Sequence, residues 1–247
     1  MRVSRLYVAM PLVLQQTIEL DDDNAHYLRS VLRLKKGQPI TLFNGTGGEY
    51  QGQAVEVSRK RVLIELLSFT DRSVESGLQV ILGLGVSRGD RMDFSVQKSV
   101  ELGVSHIAPL QTERCVVQLK AEKGQNKARH WQKIAQHATE QSGRTIRPEV
   151  GDVQMLDAWA NEQAGLRLFL DPFATQTLTQ LQPKDNRVTL LAGPEGGFSG
   201  QERELAKLAG FIPVQLGPRV LRTETATLAA LTAVQLLWGD LGVVDAE

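Results

Sequence analysis

The chain has 247 residues, enough for one large domain or two small ones that can each bury a core. Hydrophobic residues make up 42% and charged residues 23%, the balance of a globular protein in water, and no apolar run reaches the roughly 18 residues that a membrane span needs. With 28 basic and 28 acidic residues the formal net charge is zero, so no bulk positive field marks the chain as a nucleic-acid binder.

Residues 1–72 predict short strands at 5–9, 40–43, 53–57 and 62–66, rich in Val, Ile and Leu and separated by turn signals. Asn44-Gly45-Thr46-Gly47-Gly48 is a strong turn, and Ser58-Arg59-Lys60-Arg61 reads as a hairpin tip. One helix is expected at 22–34, with Ala25, Leu28, Val31 and Leu32 on one face and Gly37 as its stop. Several strands with one helix suggest a small, partly closed barrel. This segment has a net charge of +2, with 10 basic and 8 acidic groups. Its basic clusters, Arg29, Arg33, Lys35 and Lys36, then Arg59, Lys60 and Arg61, admit RNA contact, or equally a solvated helix end and hairpin turn.

A polar linker, Asp71-Arg72-Ser73-Val74-Glu75-Ser76-Gly77, precedes a change of rhythm. Apolar runs at 80–84, 107–110, 166–170, 188–192 and 211–216 alternate with helical patterns near 90–102, 127–141, 156–163, 201–208 and 224–238. Such alternation predicts parallel strands with crossover helices. Met92, Val96 and Val100 mark a buried stripe that leaves Lys98 and Glu101 as an exposed i,i+3 pair. Trp131, Ile134 and Ala138 are expected to face the core. Ser199-Gly200-Gln201-Glu202 is a capping box, and Gly210 closes that helix. In the last helix Leu228, Leu231, Val234, Leu236, Leu237 and Trp238 cover most of the circumference, which predicts deep burial.

The N-terminus, Met1-Arg2-Val3-Ser4-Arg5, lacks an apolar signal core, and the single cysteine, Cys115, rules out an internal disulfide framework. Both suit a cytoplasmic location. Four histidines, His26, His106, His130 and His137, show no HExxH spacing, and no metal is expected.

Two loops carry the chemistry. Gly193-Pro194-Glu195-Gly196-Gly197 and Leu216-Gly217-Pro218-Arg219-Val220-Leu221-Arg222-Thr223-Glu224-Thr225-Ala226 each follow an apolar run and lead into a helical pattern. Side by side on neighbouring strands, they would build a ligand site at the carboxyl ends of a parallel sheet, where glycines let a flat ligand approach bare backbone. The first loop is a poor phosphate cradle, because Pro194 has no N–H to donate and Glu195 would repel an anion. An uncharged adenine and a sulfonium cation suit it better; the alternative is a wide turn without a ligand. Glu224 in a first helical turn is either favoured there by the helix dipole or placed for proton transfer.

These loops, GPEGGFS and LGPRVLRTETA, resemble the C-terminal signature of the SPOUT superfamily of knotted RNA methyltransferases. Within it they resemble the bacterial 16S rRNA (uridine-N3)-methyltransferase family. Further matching segments are Ser87-Arg88-Gly89 leading to Gln97-Lys98-Ser99-Val100-Glu101-Leu102-Gly103, then Glu113-Arg114-Cys115 and Glu140-Gln141-Ser142-Gly143-Arg144. The resemblance implies a PUA-like β-barrel RNA-binding domain over 1–72 and an α/β parallel-sheet methyltransferase domain with a C-terminal trefoil knot over 73–247. It implies S-adenosylmethionine held by Leu191, Gly193, Pro194, Glu195, Gly196, Gly197, Leu216, Gly217, Leu221, Thr223, Thr225 and Ala226, with no metal. The implied reaction is methyl transfer to N3 of a uridine in 16S rRNA of the small ribosomal subunit, by a homodimer whose partner chain completes each site.

N3 methylation removes a proton and spreads negative charge towards O2 and O4. Arg222, beside a capping Thr223, is the candidate to stabilise that charge, and Glu224 or a water to take the proton. Arg88 joins them as a candidate catalytic group at the sheet's carboxyl edge. Arg29, Arg33, Lys35, Arg88, Arg114 and Arg144 are the candidate RNA contacts; surface ion pairs are the plain alternative for the last three. Two rival functions stand beside this one. A noncatalytic RNA-binding or ribosome-assembly protein would keep the basic clusters without methyl transfer. An NAD-dependent oxidoreductase would use Gly83-Leu84-Gly85-Val86-Ser87-Arg88-Gly89 as a dinucleotide fingerprint with Glu113 as the ribose acid, but Arg88 stands where the third glycine belongs.

Overall fold

Alternation of inward apolar residues builds the first sheet. In the strand Val62–Thr70, Val62, Ile64 and Leu66 are fully buried while Leu63 and Glu65 are not. The computed structural model describes residues 3–119 and 121–242. Its elements in chain order begin with β1 (Ser4–Tyr7), β2 (Thr17–Glu19), α1 (Asp22–Ser30), β3 (Pro39–Phe43), β4 (Glu49–Val57) and β5 (Val62–Thr70). They form a mixed sheet in the order β1-β3-β4-β5-β2, in which only the β1–β3 pair is parallel. Leu6, Leu28, Ile40, Leu42, Ile64 and Leu66 fill its core, each fully buried aliphatic side chain contributing about 1.5–3 kcal/mol.

Two expectations change here. The first helix ends at Ser30, not at residue 34: Val31 is its C-cap and Arg33 takes a positive φ of 51°. The Leu34 N–H then bonds to Leu28 O at 2.9 Å, which turns the chain back before Gly37 is reached. The strand β2 carries too little pattern in Thr17-Ile18-Glu19 to announce itself, yet it completes an edge beside β5.

The second set runs β6 (Gln79–Gly85), α2 (Asp90–Glu101), β7 (His106–Gln111), α3 (Ala121–Ser142), β8 (Glu149–Val150), β9 (Gln154–Met155), α4 (Leu156–Asn161), β10 (Leu166–Leu170), a 3-10 turn at Leu178–Gln180, β11 (Arg187–Ala192), α5 (Gly200–Leu208), β12 (Ile212–Val214) and α6 (Thr223–Trp238). Its sheet has the order β12-β10-β11-β6-β7-β8, with β9 also beside β7, and every pairing is parallel. Met92, Val96 and Val100 form the buried stripe of α2, and Lys98 pairs with Glu101 at 2.8 Å outside it. Ser199 and Glu202 make the reciprocal capping box that opens α5. No described helix is long and apolar enough to cross a membrane.

By contacts the chain divides into two compact units. One comprises Met1–Glu75 with Thr139–Arg147, the other Ser76–Ala138 with Pro148–Glu247. Buried polar links tie 139–147 into the first unit: Glu140 accepts the Tyr7 N–H at 3.1 Å, and Arg144 pairs with Glu75 at 2.6 Å. In the second unit the expectation of an all-round buried last helix is overturned. Leu231 and Val234 are buried, but Leu236 is 59% and Leu237 42% exposed, so α6 has one apolar face turned outward.

Candidate functional site

Strand order decides which loops meet. The two loops singled out in the sequence follow β11 and β12, and these strands are not neighbours, because β10 lies between them. The turn after β10 therefore joins the two loops at the same carboxyl edge. Together they line a cavity of about 320 Å³. Its walls combine Leu170, Ala192, Val214 and Leu216 with the carboxylates of Asp171 and Glu195 and the guanidinium groups of Arg114, Arg203 and Arg219.

Of the residues expected to hold a ligand, Gly193, Pro194, Glu195, Gly196, Gly197, Leu216, Gly217, Leu221, Thr223 and Ala226 line this cavity. Leu191 is buried within β11 and Thr225 is exposed on α6, and neither is in the wall. Asp171, Pro172, Phe173 and Arg203 were not expected. Nothing in the local pattern of the 171–173 turn distinguishes it from an ordinary connection, and only the strand order brings it in.

Two glycines lie against neighbouring segments of the chain. A Cβ on Gly85, at the end of β6, would collide with the Pro194 backbone, and one on Gly196 would stand 2.8 Å from Arg114 Cβ and 2.9 Å from its carbonyl oxygen. Both permit protein to pack against protein, holding the 193–197 loop against β6 and the 112–115 segment. Gly85 thus serves loop packing rather than a dinucleotide turn. Glu113 contributes its backbone N–H to Glu202 Oε1 at 2.8 Å.

Glu195 is fixed at one end. Its Oε1 accepts the Arg88 N–H at 3.1 Å and lies 3.4 Å from Arg91 Nη1, while its Oε2 is buried without a hydrogen-bond partner among the described residues. Such an acceptor is costly unless a ligand supplies a donor. Glu224, in the first turn of α6, likewise has a buried Oε2 without a partner among the described residues. Arg222 is the N-cap residue of α6, correcting the expectation of a capping Thr223. It is exposed, its side chain makes no cap bond, and it is not in the cavity wall.

The basic candidates separate. Arg33, Lys35 and Arg88 are exposed. Arg29 donates to Ser58 O at 2.8 Å and so braces the 58–61 hairpin. There Arg61 pairs with Glu56 at 2.8 Å, and its hydrogen bond holds that carboxyl below the usual carboxylate range. Arg114 is exposed in the cavity wall and donates to Gly196 O at 3.3 Å. Arg144 departs from the expectation of an RNA-facing side chain. It is 6% exposed, and Glu75 Oε2 accepts from both its Nε and Nη2.

Residues 74–235 match a family model described as an RNA methyltransferase domain, and residues 20–67 match an RNA methyltransferase PUA domain. The chain belongs to the ribosomal RNA small subunit methyltransferase E family. It is 39% identical to the Ribosomal RNA small subunit methyltransferase E of Buchnera aphidicola subsp. Schizaphis graminum, over 97% of this chain and 98% of that one. The Bacillus subtilis relative of the same name is 31% identical over 91% and 93%. Among solved structures, the Ribosomal RNA small subunit methyltransferase E of Neisseria gonorrhoeae bound to S-adenosyl methionine has a TM-score of 0.90 at 37% identity, covering 97% of this chain and 100% of that one. A Legionella pneumophila chain in complex with the bound cofactor SAM has a TM-score of 0.93 at 39% identity, covering 98% and 100%. In this family member the parallel sheet is thus the methyltransferase fold, and the mixed sheet lies in the PUA-like part.

Proposed function

We propose that the protein transfers a methyl group from S-adenosylmethionine to N3 of a uridine in 16S rRNA of the small ribosomal subunit. The observation that carries this reading is a cavity at the carboxyl edge of the parallel sheet that joins apolar walls to charged residues of both signs, Asp171 and Glu195 with Arg114, Arg203 and Arg219. The apolar side chains of Leu170, Val214, Leu216 and Leu221 in the wall favour a purine there. The Glu195 side chain in the wall suits a ligand with a cationic or hydroxyl-bearing group. The S-adenosyl methionine-bound relatives support the same donor.

When bound, that donor supplies an electrophilic methyl group on a cationic sulfur, and the transfer needs no metal or covalent enzyme intermediate. The chain's own residues supply position and charge. We assign Arg222, exposed at the start of α6, to the negative charge that develops on uridine O2 and O4 as the N3 proton leaves. Glu224, with its unpartnered oxygen, receives that proton directly or through a water. The exposed Arg33, Lys35, Arg88 and Arg114 offer cations to RNA phosphate. The first unit, carrying the PUA match, is assigned to RNA binding.

The reading includes a cytoplasmic homodimer and a C-terminal knot. The outward apolar face of α6, with Leu236 and Leu237, supports a partner chain there. The test is transfer of labelled methyl groups to unmodified small ribosomal subunits, followed by nucleoside mass spectrometry. The expected product is 3-methyluridine. Label on another nucleoside would refute the N3 chemistry, and no label on particles or free RNA would refute methyl transfer.

A further inference from the structure

The turn after β10 presents Phe173 with 76% of its surface exposed, at the wall of the cavity. Hydrogen bonds hold the turn around it. Asp171 N donates to Val214 O at 3.0 Å, Ala174 N to Asp171 O at 3.1 Å, and Gln215 Nε2 to Pro172 O at 3.3 Å. The Asp171 side chain, on a residue only 8% exposed, accepts the Phe173 N–H at 2.9 Å and pairs with Arg203 Nη1 at 3.2 Å. That pairing aims the Arg203 guanidinium over the Phe173 ring, 5.1 Å from its centroid.

A large apolar ring kept in water on a pinned turn, backed by a positioned cation, gains nothing from burial in this chain. It is preorganised for something flat. We propose that Phe173 is a stacking platform for an unpaired nucleobase of the RNA substrate at the mouth of the cavity. Every base has a π-face, and the guanidinium draws electron density from the ring, which favours a stacked base. Arg114 and Arg219, both exposed and both in the cavity wall, supply the positive charge that a phosphate backbone needs nearby. The Asp171–Arg203 pair acts through Phe173, as a positioning pair. This inference rests on the methyl-transfer reading for the identity of the RNA.

Two measurements on the full chain test it. With S-adenosylmethionine saturating, Phe173→Ala should lower kcat/KM for unmodified small subunits about tenfold, and Phe173→Trp should retain it. The affinity for S-adenosylmethionine, read by calorimetry, should fall much less than kcat/KM. A single-stranded fragment of the target RNA carrying 2-aminopurine should be quenched by the wild-type protein and by Phe173→Trp, and not by Phe173→Ala, without any methyl donor present. Equal quenching by all three, or a donor affinity that falls in step with kcat/KM because the ring stacks on adenine, would overturn the proposal. Wild-type quenching without methyl transfer would refute the reaction and leave the platform standing.

Discussion

One carboxylate oxygen of Glu195 accepts the backbone N–H of Arg88 at 3.1 Å, while the other is buried with no partner among the described residues. The bonded oxygen ties the 193–197 loop to the start of α2, and the residue lines the cavity. Glu195→Gln keeps the size and removes the charge. It should weaken S-adenosylmethionine binding roughly tenfold more than binding of S-adenosylhomocysteine, which lacks the sulfonium. Calorimetry with the two ligands reads the difference. Equal weakening would limit Glu195 to holding the loop.

Arg222 stands outside the cavity wall and caps α6 through backbone alone. Arg222→Ala should therefore leave thermal stability and donor affinity close to wild type. The single-turnover methylation rate should fall by about 10²-fold, the scale of losing one charge-stabilising donor. An unchanged rate would remove Arg222 from the mechanism.

Arg144 and Glu75 form a buried pair in the first unit, where Thr145 N and Ile146 N also donate to Glu75 Oε1 at 3.0 Å. Removing one partner strands the other charge. Arg144→Ala should cost about 3–5 kcal/mol in chemical denaturation, a loss of stability rather than a selective loss of RNA affinity. A fully stable variant that has lost RNA binding would return Arg144 to the RNA surface.

Burial pushes the His106 imidazole below its ordinary value of 6.5, and Glu149 only partly opposes the shift. The folded state therefore binds this proton less readily than the unfolded chain. Its contribution to stability is complete above about pH 6.5 and declines as the pH falls from there through the lower folded value. His106→Asn should flatten the pH dependence of unfolding free energy just below pH 6.5. An unaltered slope would assign that dependence to other groups.

Local pattern carried much of the second unit. Leu166–Leu170 reads as a strand because a short run rich in leucine stands between polar turns, and Ser199 with Glu202 announces α5 through a cap that needs only four residues. The order of strands is a different kind of information. That β10 separates β11 from β12 follows from pairing across distant segments, and it brings Asp171, Phe173 and Arg203 into the site. The burial of Arg144 was hidden for the same reason, since its partner Glu75 lies far away in sequence. Gly196 shows a third limit. A glycine reads alike whether it makes room for a ligand or for protein, and Gly196 both lines the cavity and lies against the Arg114 backbone.

The inclusion of Thr139–Arg147 in the first unit has a consequence for the growing polypeptide. At about 5–20 residues per second, the amino-terminal strands leave the exit tunnel well before this segment is made. Until then Glu75 has no Arg144 and the Tyr7 N–H has no Glu140. Completion of the first unit is thus timed by translation of residues in the middle of the chain, and a nascent chain stalled before residue 139 would carry the earlier sheet with its last polar partners still unsynthesised.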